Sequence, residues 1–544
     1  MDPTVAERLA RLAPDQRAAA TAPPGPVLCV APAGSGKTTT LVARVAWLVE
    51  GGTAPDKITI VAFNKRAAEE LSTRLDAALG PIGCASGAVR VRTFHALGRE
   101  ILAESGVDVA ALLDRDAVLR DMFPDLPPPA RGRLDLAFSR LKLDLGVTAD
   151  DVATDPAPGP VASAFVAYER RLAEEGGLDF DDLVVRALRL LEANREDLAR
   201  WRTRCTELLV DEAQDLDRTQ LRLALLLAAP ANRVFLVGDD DQTIYGWRLA
   251  DVRRVLGLAA ELPGLRRVDL VTNYRCPAPV VERAVRLVER NKERFTKRIV
   301  ARPGAAGWLV LGPDAADDPQ RIARAMGTWP ADASSCAVLA RTNRELLAAV
   351  IAAVERGTPF RAPDLPLAAD DPRLDGLLAR AAEIAAAERA LPLLAVLGRV
   401  RDEVIPEPAP DDTTPAPRDV AAALLGWAAG FRTLPELSAA VHAWRARVAE
   451  LRRDDAPLTL ATAHGTKGLE WDHVVVLADG FPGRRSVSDA AEPERALEEE
   501  RRLAYVAWTR ARTSLTLLFD PAAPSPFLQE AFDPAELGMD PAAE

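Results

Sequence analysis

The stretch VLCVAPAGSGKTTTL, residues 27–41, constrains the fold of this chain more than any other stretch. A short apolar run, typical of a buried strand, stands directly before the pattern A-x-x-x-x-G-K-T and a helix-like sequence. Gly34 and Gly36 allow backbone N–H groups to close around phosphate oxygens, and the N-terminus of the following helix adds positive potential. Lys37 is expected to reach the β- and γ-phosphates, and the Thr38 hydroxyl to bind Mg²⁺. The alternative is a glycine-rich turn without a ligand, but the strand before it and the helix after it favour a phosphate site.

Short apolar runs alternate with longer helical patterns along most of the chain. The runs are VLCV (27–30), ITIVAF (58–63), ELLV (207–210), VFLV (234–237), WLVL (308–311), CAVLA (336–340), LTLA (458–461), VVVL (474–477) and SLTLLF (514–519). Buried strands that alternate with helices predict α/β lobes with parallel sheets, and two sets of runs predict two lobes.

Each of the two predicted lobes is interrupted by one insertion. Residues 100–205 and 362–455 are interpreted as mainly helical insertions, the second with a loop-like stretch at 406–417. The first lobe is then predicted at 1–99 and 206–265, and the second at 266–361 and 456–544. The stretch from Asp520 onward is rich in Pro and Ala and is expected to run over the surface.

Composition narrows the class of protein. The chain has 544 residues, 48% of them apolar, and is too long for a single hydrophobic core. Neither a membrane-spanning run nor an N-terminal signal core is seen, and the five scattered cysteines fit a reducing compartment, so a cytoplasmic protein is expected. The net charge of −12 argues only weakly against a nucleic-acid partner, because binding depends on a local basic groove.

The stretch ELLVDEAQD, residues 207–215, contributes two carboxylates that complement the phosphate loop. Asp211 is expected to bind Mg²⁺, and Glu212 to orient or deprotonate a water molecule. A DE pair after a strand is more often a helix cap with a solvated acid. Together with the phosphate loop, however, it predicts ATP hydrolysis.

The stretch GDDDQTIYGW, residues 238–247, combines three acids, an amide and two large aromatic rings. Such a combination is explained neither by a buried core nor by a solvated surface. The roles of these residues follow from the other motifs of the chain.

Ordered motifs cover nearly all of both predicted lobes. They are LAPDQ (12–16), APAGSGKT (31–38), AFNKRAAEEL (62–71), TFHALG (93–98), DFDDL (179–183), DEAQD (211–215), GDDDQTIYGWR (238–248), NYRCP (273–277), ARTN (340–343), GTPFR (357–361), AHGTKGLEWD (463–472) and EEERRLAYVAWTRA (498–511). In these motifs the chain resembles superfamily 1 DNA helicases of the UvrD/Rep/PcrA type. The resemblance implies an α/β fold of two RecA-like P-loop lobes with parallel sheets, ATP and Mg²⁺ between them, and a mainly helical insertion in each.

The resemblance also assigns the nucleotide site. Gln16 would recognise the adenine edge, Tyr274 would stack on its face, and Glu470 would bind the ribose. Arg275 and Arg510 would reach the γ-phosphate from the second lobe, and Gln242 would sense that phosphate or its attacking water. The phosphate-loop residues would be Ala31, Pro32, Ala33, Gly34, Ser35, Gly36, Lys37, Thr38 and Thr39. Without its motif, Arg510 would be interpreted as an arginine on a helix surface.

The same resemblance implies contacts with single-stranded DNA. Trp247 would stack on a base beside Tyr245 and Arg248, and packing on a helix is the alternative for Tyr245. Phe63 would stack or wedge against another base. The backbone contacts would be Asn64, Lys65, Thr93, His95, Asn343 and His464, where the two histidines could also be ordinary loop residues. DFDDL is interpreted only as the start of a helix with acids at its N-terminus.

The implied activity is an ATP-dependent 3′–5′ DNA helicase or translocase, acting on single-stranded and tailed duplex DNA in repair or recombination. Thr39 stands where many relatives have an arginine that sandwiches adenine. The second insertion is short, and the hairpin that splits base pairs in large relatives is missing between Phe519 and Phe527, so weak unwinding and a need for an accessory protein are expected. A regulatory switch subunit is the alternative, and a helicase–nuclease is disfavoured because little chain follows the last motif.

Overall fold

The structure is a computed structural model that describes residues 2–154, 159–330, 332–333, 335–367, 370–404, 417–483, 487 and 492–539. The chain divides into two compact units. The first comprises Met1–Pro124, Arg133–Ala306 and Val487–Thr509, and the second Asp125–Gly132, Gly307–Ser486 and Arg510–Glu544.

A parallel six-stranded sheet forms the centre of the first unit. Its strands are β1 (Val27–Val30), β2 (Ile58–Ala62), β3 (Arg90–Thr93), β4 (Glu207–Val210), β5 (Val234–Gly238) and β6 (Arg266–Asp269), in the order β3-β2-β4-β5-β1-β6. Two short parallel strands, β7 (Thr272–Asn273) and β8 (Val300–Ala301), follow. The four central strands are the apolar runs that the sequence predicts.

The sequence misses the two edge strands of this sheet. β3 reads RVRT and β6 reads RRVD, and neither is fully buried, because an edge strand has a neighbour on one side only. The sequence predicts that the first lobe ends at residue 265. That boundary is wrong: β6 pairs with β1 from Val27↔Arg266 to Val30↔Asp269, which extends the first unit through Ala306.

Helices cover both faces of the first sheet. They are Pro3–Ala10, Pro14–Ala20, Lys37–Glu50, Lys65–Leu79, Phe94–Glu104, Asp182–Ala193, Arg195–Arg204, Arg218–Ala228, Val252–Leu256, Leu258–Glu261, Ala278–Val288 and Pro493–Trp508. Helix Pro493–Trp508 lies in the first unit, although the sequence places it in the second lobe.

The first insertion is narrower than the predicted range 100–205. Its own apolar core extends from Val118 to Leu172, and its helices are Arg115–Met122, Pro128–Ser139, Ala149–Ala153 and Pro160–Glu174, with a π-helical turn at Arg140–Leu145. Leu183, Leu188 and Trp201 instead join the core beneath the sheet. The two helices that carry them therefore belong to the sheet layer.

The second unit repeats this architecture. Its parallel sheet has the order β11-β12-β10-β13-β14-β9, formed by β9 (Trp308–Pro313), β10 (Cys336–Ala340), β11 (Phe360–Arg361), β12 (Leu458–Thr462), β13 (Trp471–Leu477) and β14 (Ala511–Phe519). The five apolar runs predicted for this lobe are confirmed as strands. The helices are Asp318–Met326, Asn343–Glu355, Arg373–Ala387, Leu393–Glu403, Pro417–Trp427, Leu434–Leu451 and Pro526–Ala531.

The second insertion is helical, as predicted, and its separate core extends from Leu374 to Val441. Nearly all of the predicted loop 406–417 lies outside the described residues. The stretch after Asp520 does not simply run over the surface, because helix Pro526–Ala531 buries Phe527 and Leu528. Among the described helices, none combines the length and the apolar character needed to cross a lipid bilayer.

Candidate functional site

The carboxyl ends of the strands in the first sheet collect most of the predicted site residues. The phosphate loop follows β1, Phe63 follows β2, His95 follows β3, Glu212 follows β4 and Gln242 follows β5. Because all these strands are parallel, their carboxyl ends lie at one edge of the sheet, which is where α/β sheets bind ligands.

The phosphate loop has the backbone geometry of an anion cradle. Gly34 and Gly36 adopt φ values of +68° and +84°, which side-chain-bearing residues rarely adopt. A Cβ atom on Gly34 would lie 2.7 Å from Asn273 Oδ1, and one on Gly36 would lie 2.6 Å from Gln16 Nε2. Helix Lys37–Glu50 begins directly after the loop, so the free N–H groups of its first turn are available to a phosphate held by the loop. The loop therefore fits a nucleoside triphosphate.

Two carboxylates follow β4 beside this loop. Lys37 Nζ lies 3.2 Å from Glu212 Oε2, and both side chains are largely buried. Glu212 has a φ of +51°, a left-handed conformation that is costly for a residue other than glycine and is found mainly at functional sites. Asp211 accepts a hydrogen bond from the Glu212 N–H at 3.0 Å. With the Thr38 hydroxyl, Asp211 offers the hard oxygen ligands that suit Mg²⁺.

A chain of hydrogen bonds runs from Glu212 to Gln242. Gln214 Nε2 donates to Glu212 Oε2 at 2.7 Å, and Gln214 Oε1 accepts from the Asp239 N–H at 3.0 Å. Asp239 Oδ2 in turn accepts from Gln242 Nε2 at 2.6 Å. All three of Gln214, Asp239 and Gln242 are buried. The GDDDQ motif at the end of β5 is thus hydrogen-bonded directly to the DEAQD motif that follows β4.

The segment 273–275 lies on the phosphate loop. Asn273 Nδ2 donates to the Ala33 carbonyl at 2.8 Å, and the Tyr274 N–H donates to the Gly34 carbonyl at 2.8 Å. Tyr274 is exposed, as a residue that stacks on a base must be. Arg275 belongs to the first unit, contrary to the prediction that it reaches over from the second lobe. The reason is that β6, just before it, pairs with β1.

Hydrogen bonds to backbone carbonyls hold the side chains of two predicted nucleotide-site residues, Gln16 and Arg275. Gln16 Nε2 donates to the Ser35 carbonyl at 2.9 Å, so the side chain predicted to recognise adenine is fixed to the phosphate loop. Arg275 Nη1 donates to the Thr509 carbonyl at 3.1 Å.

Three aromatic rings form a row beside the Gln242 segment. Phe63 and Tyr245 are stacked with ring centroids 5.2 Å apart, and Tyr245 meets Trp247 edge-on at 6.1 Å. Trp247 is 51% exposed, and the Arg248 guanidinium lies 4.5 Å from its ring centroid. Tyr245 therefore packs between two other aromatic rings. This row offers an exposed aromatic face, as proteins that bind single strands do.

A second aromatic pair, which the sequence does not predict, lies beyond β3. His95 stacks on Phe180 with ring centroids 3.9 Å apart, and Phe180 is 55% exposed. Burial lowers the pKa of His95 to about 4, although Asp181 and Asp179 oppose this shift, so the imidazole is neutral near pH 7. The sequence signal that could have predicted this pair is Phe180, a large aromatic residue between the acids of DFDDL.

The acids of DFDDL lie at a helix N-terminus, as predicted, where Asp179 Oδ1 accepts from the Asp182 N–H at 2.9 Å, but they also pair with buried cations. Asp179 and Asp182 are buried and pair with Lys142 Nζ at 2.8 and 3.0 Å. Arg115 Nη2 lies 2.7 Å from Asp179 and 2.6 Å from Asp181. The helix does begin at Asp182, as predicted, but the motif also joins the first insertion to the sheet layer.

The remaining DNA candidates of the first unit lie at helix N-termini. Asn64 Oδ1 caps helix Lys65–Leu79, and Thr93 Oγ1 caps helix Phe94–Glu104. Lys65 has a side chain that is 90% exposed. Helix N-termini and exposed lysines are common contacts to phosphates, so these positions suit a nucleic-acid backbone.

Four predicted residues belong to the second unit. Arg510 is buried and donates to the Leu469 carbonyl at 3.2 Å, so it is not an arginine on a helix surface. Glu470 lies just before β13, with Arg512 Nη1 3.5 Å from its carboxylate. Asn343 and His464 follow β10 and β12, and Asn343 Nδ2 donates to the Asp364 carbonyl at 3.2 Å.

Comparison with known proteins agrees with this geometry. A family model described as the UvrD/REP helicase N-terminal domain matches residues 12–126 and 134–263, and one described as the UvrD-like helicase C-terminal domain matches 446–520. The chain is 30% identical over 369 residues to DNA helicase II of Escherichia coli K12, a match that covers 64% of this chain and 50% of that protein. It is 31% identical over 288 residues to the ATP-dependent DNA helicase PcrA of Staphylococcus aureus, covering 50% of this chain and 39% of that protein. The chain thus spans about half the length of the curated relatives it matches, or less.

Proposed function

The chain belongs to the UvrD/Rep helicase family, and from this premise we propose that it is an ATP-dependent motor that moves 3′ to 5′ on single-stranded DNA. One observation carries the proposal. The hydrogen-bonded chain from Glu212 ends at Gln242, and only three residues later stands Tyr245, the middle ring of the aromatic row that includes the exposed Trp247. A change at the γ-phosphate would therefore reach the proposed DNA grip through a short, hydrogen-bonded path.

Hydrolysis is assigned to the nucleotide-site residues that the motifs predict. Lys37 would bind the β- and γ-phosphates, and Glu212 would orient and deprotonate the attacking water. Arg275 and Arg510 would stabilise the charge that spreads over the transferring phosphoryl group, as guanidinium groups do in fork geometry. Mg²⁺ bound by Thr38 and Asp211 would supply further charge neutralisation. Gln16, Tyr274 and Glu470 would hold the nucleoside.

The DNA grip is assigned to the aromatic rings and the polar groups around them. Trp247 would stack on one base, and Phe63 and the His95–Phe180 pair would contact others. Asn64, Lys65 and Thr93 would contact the backbone in the first unit, and Asn343 and His464 in the second. ATP binding and hydrolysis would close and open the grip in turn, and each cycle would move the protein along the strand. A role in DNA repair or recombination is part of this proposal and rests only on the resemblance of the motifs to the family.

Replacing Trp247 with alanine tests the link between the two sites. We expect single-stranded DNA to stimulate the ATPase about 5- to 150-fold less effectively, since one base stack of ~1–3 kcal/mol is lost. The DNA-free rate should stay nearly unchanged, because the role assigned to Trp247 is a base stack and not a phosphate contact. Steady-state ATP turnover measured against DNA concentration would show both effects.

Trp308→Ala is the matched control, because Trp308 is 56% exposed on the edge strand β9 and has no assigned role. A DNA-free rate that falls in Trp247→Ala as far as in Arg510→Ala would mean that Trp247 supports the fold instead.

Weak unwinding by the isolated protein is also proposed. Between β14 and helix Pro526–Ala531 the described chain forms a turn at residues 521–523 and has no hairpin. Each base-pair step costs about 1.4 kcal/mol to separate, and an element that blocks the second strand is needed at the fork. We therefore expect displacement of streptavidin from the end of biotinylated single-stranded DNA, but slow opening of a 3′-tailed duplex. Rapid, processive unwinding without an accessory protein would contradict this expectation.

A further inference from the structure

A strap of irregular chain, residues 291–298, joins two motifs of the first unit. At one end it is bound to helix Pro493–Trp508: Asn291 Nδ2 donates to the Glu498 carbonyl at 3.0 Å, and the Lys292 N–H donates to Glu498 Oε1 at 2.8 Å. At the other end the Phe295 N–H donates to Asp240 Oδ2 at 2.7 Å. The strap thus brings its last residues onto the three acids that follow β5.

Lys297 is the residue of the strap that enters this acidic cluster. Its side chain is fully buried, and its Nζ lies 2.9 Å from Asp239 and 2.8 Å from Asp241 and also pairs with Asp240. Burial lowers the pKa of Lys297, but the three carboxylates outweigh burial and raise the pKa above its ordinary value. The ammonium group is therefore charged at neutral pH. Arg294 adds a second cation, with Nη2 2.8 Å from Asp241.

The two oxygens of Asp239 have different partners. Oδ1 accepts from Lys297 Nζ at 2.9 Å and from the Asp241 N–H at 3.2 Å, and Oδ2 accepts from Gln242 Nε2 at 2.6 Å. The ammonium group, the shorter of the two contacts to Oδ1 and the only charged one, therefore helps the Asp241 N–H to fix the plane of the Asp239 carboxylate, and that carboxylate fixes the carboxamide of Gln242. A buried, paired side chain of this kind is the usual support for a group that must hold a productive geometry.

We propose that Lys297 is a positioning residue for ATP hydrolysis, which acts through Asp239 to hold Gln242 in its working orientation. The inference rests on the proposed function, because it takes Gln242 as the residue that senses the γ-phosphate. Lys297 contacts neither the phosphate loop nor Glu212 in the hydrogen bonds and ion pairs described for it, so its effect should be on turnover rather than on nucleotide binding.

The competing explanation is that Lys297 only balances buried charge. The double variant Lys297→Met with Asp240→Asn separates the two, because it removes one charge of each sign and leaves the net charge of the cluster unchanged. If Lys297 positions Gln242, the double variant should keep a melting temperature near that of the wild type. Its DNA-free kcat should nevertheless fall about 10- to 100-fold, with KM for ATP within about 2-fold, as expected when a reacting group is displaced.

Asp239→Asn provides a second variant that leaves Lys297 with two carboxylates. Lys297 would attract the oxygen of the introduced amide, so the amide NH₂ would face the NH₂ of Gln242 and push it away. The same fall in kcat is expected. Lys292→Met is the matched control, because the Lys292 side chain is 82% exposed on the same strap and should leave kcat and KM unchanged.

The role of Lys297 would be wrong if either the double variant or Asp239→Asn kept the wild-type kcat. It would also be wrong if a higher KM for ATP accounted for the whole loss of activity. The proposed function is tested by a different arm of the experiment. If single-stranded DNA does not change the rate at which the wild-type protein hydrolyses ATP, the proposed motor function is wrong. The DNA-free rates of the variants still decide the role of Lys297 in that case.

Discussion

Replacing Glu212 with glutamine should lower kcat for ATP hydrolysis by about 100- to 10,000-fold, the contribution of a general base, while ATP remains bound. Glutamine has nearly the same shape as glutamate and can still accept a hydrogen bond from Gln214 Nε2, whose distance to Glu212 Oε2 is 2.7 Å. It cannot, however, accept a proton from water at neutral pH. Phosphate release gives kcat, and titration of a fluorescent ATP analogue gives the dissociation constant.

Glu207→Gln is the control for this substitution. Glu207 begins the same strand, β4, pairs with Arg233 at 3.0 Å and lies at the opposite end from the phosphate loop. Its replacement should change neither turnover nor ATP affinity. A loss of nucleotide affinity in Glu212→Gln as large as that in Lys37→Ala would contradict the role given to Glu212.

Replacing Lys37 with alanine should also stop hydrolysis, but by a different route. The change removes the ammonium group at the start of helix Lys37–Glu50 and with it the charge partner of the phosphates. We expect kcat/KM to fall at least about 100-fold, as when a single electrostatic contact to a developing charge is removed. Unlike Glu212→Gln, this variant should bind ATP more weakly in the same titration.

Lys57→Ala is a suitable control for Lys37→Ala. Lys57 lies just before β2, away from the carboxyl edge of the sheet, and pairs with Asp56 at 3.2 Å. Unchanged ATP affinity in Lys37→Ala would show that the loop after β1 does not bind the phosphates through this lysine.

The central strands and the phosphate site could be predicted from the sequence because their signals are local. VLCV and VFLV are buried on both faces, so each is a continuous apolar run. The glycines of the phosphate loop and the strand before it stand next to one another in the chain. The edge strand β6, by contrast, reads RRVD and shows no such pattern.

Features that depend on pairing between distant residues could not be predicted. The acids of DFDDL look like a helix N-terminus, because their partners Arg115 and Lys142 stand far earlier in the chain. The three acids of GDDDQ likewise find Lys297 more than fifty residues later. The prediction places Arg275 in the second lobe because nothing in the letters RRVD shows that β6 pairs with β1.

In the proposed function, ATP hydrolysis in this chain is coupled to contact with single-stranded DNA through the segment from Gln242 to Trp247. The most direct measurement compares steady-state ATPase rates of the full chain without nucleic acid and with single-stranded DNA, duplex DNA and RNA at equal nucleotide concentration. A large rise with single-stranded DNA, and a smaller rise with blunt duplex and RNA, is the predicted result. An ATPase rate that is the same with and without single-stranded DNA would contradict the account.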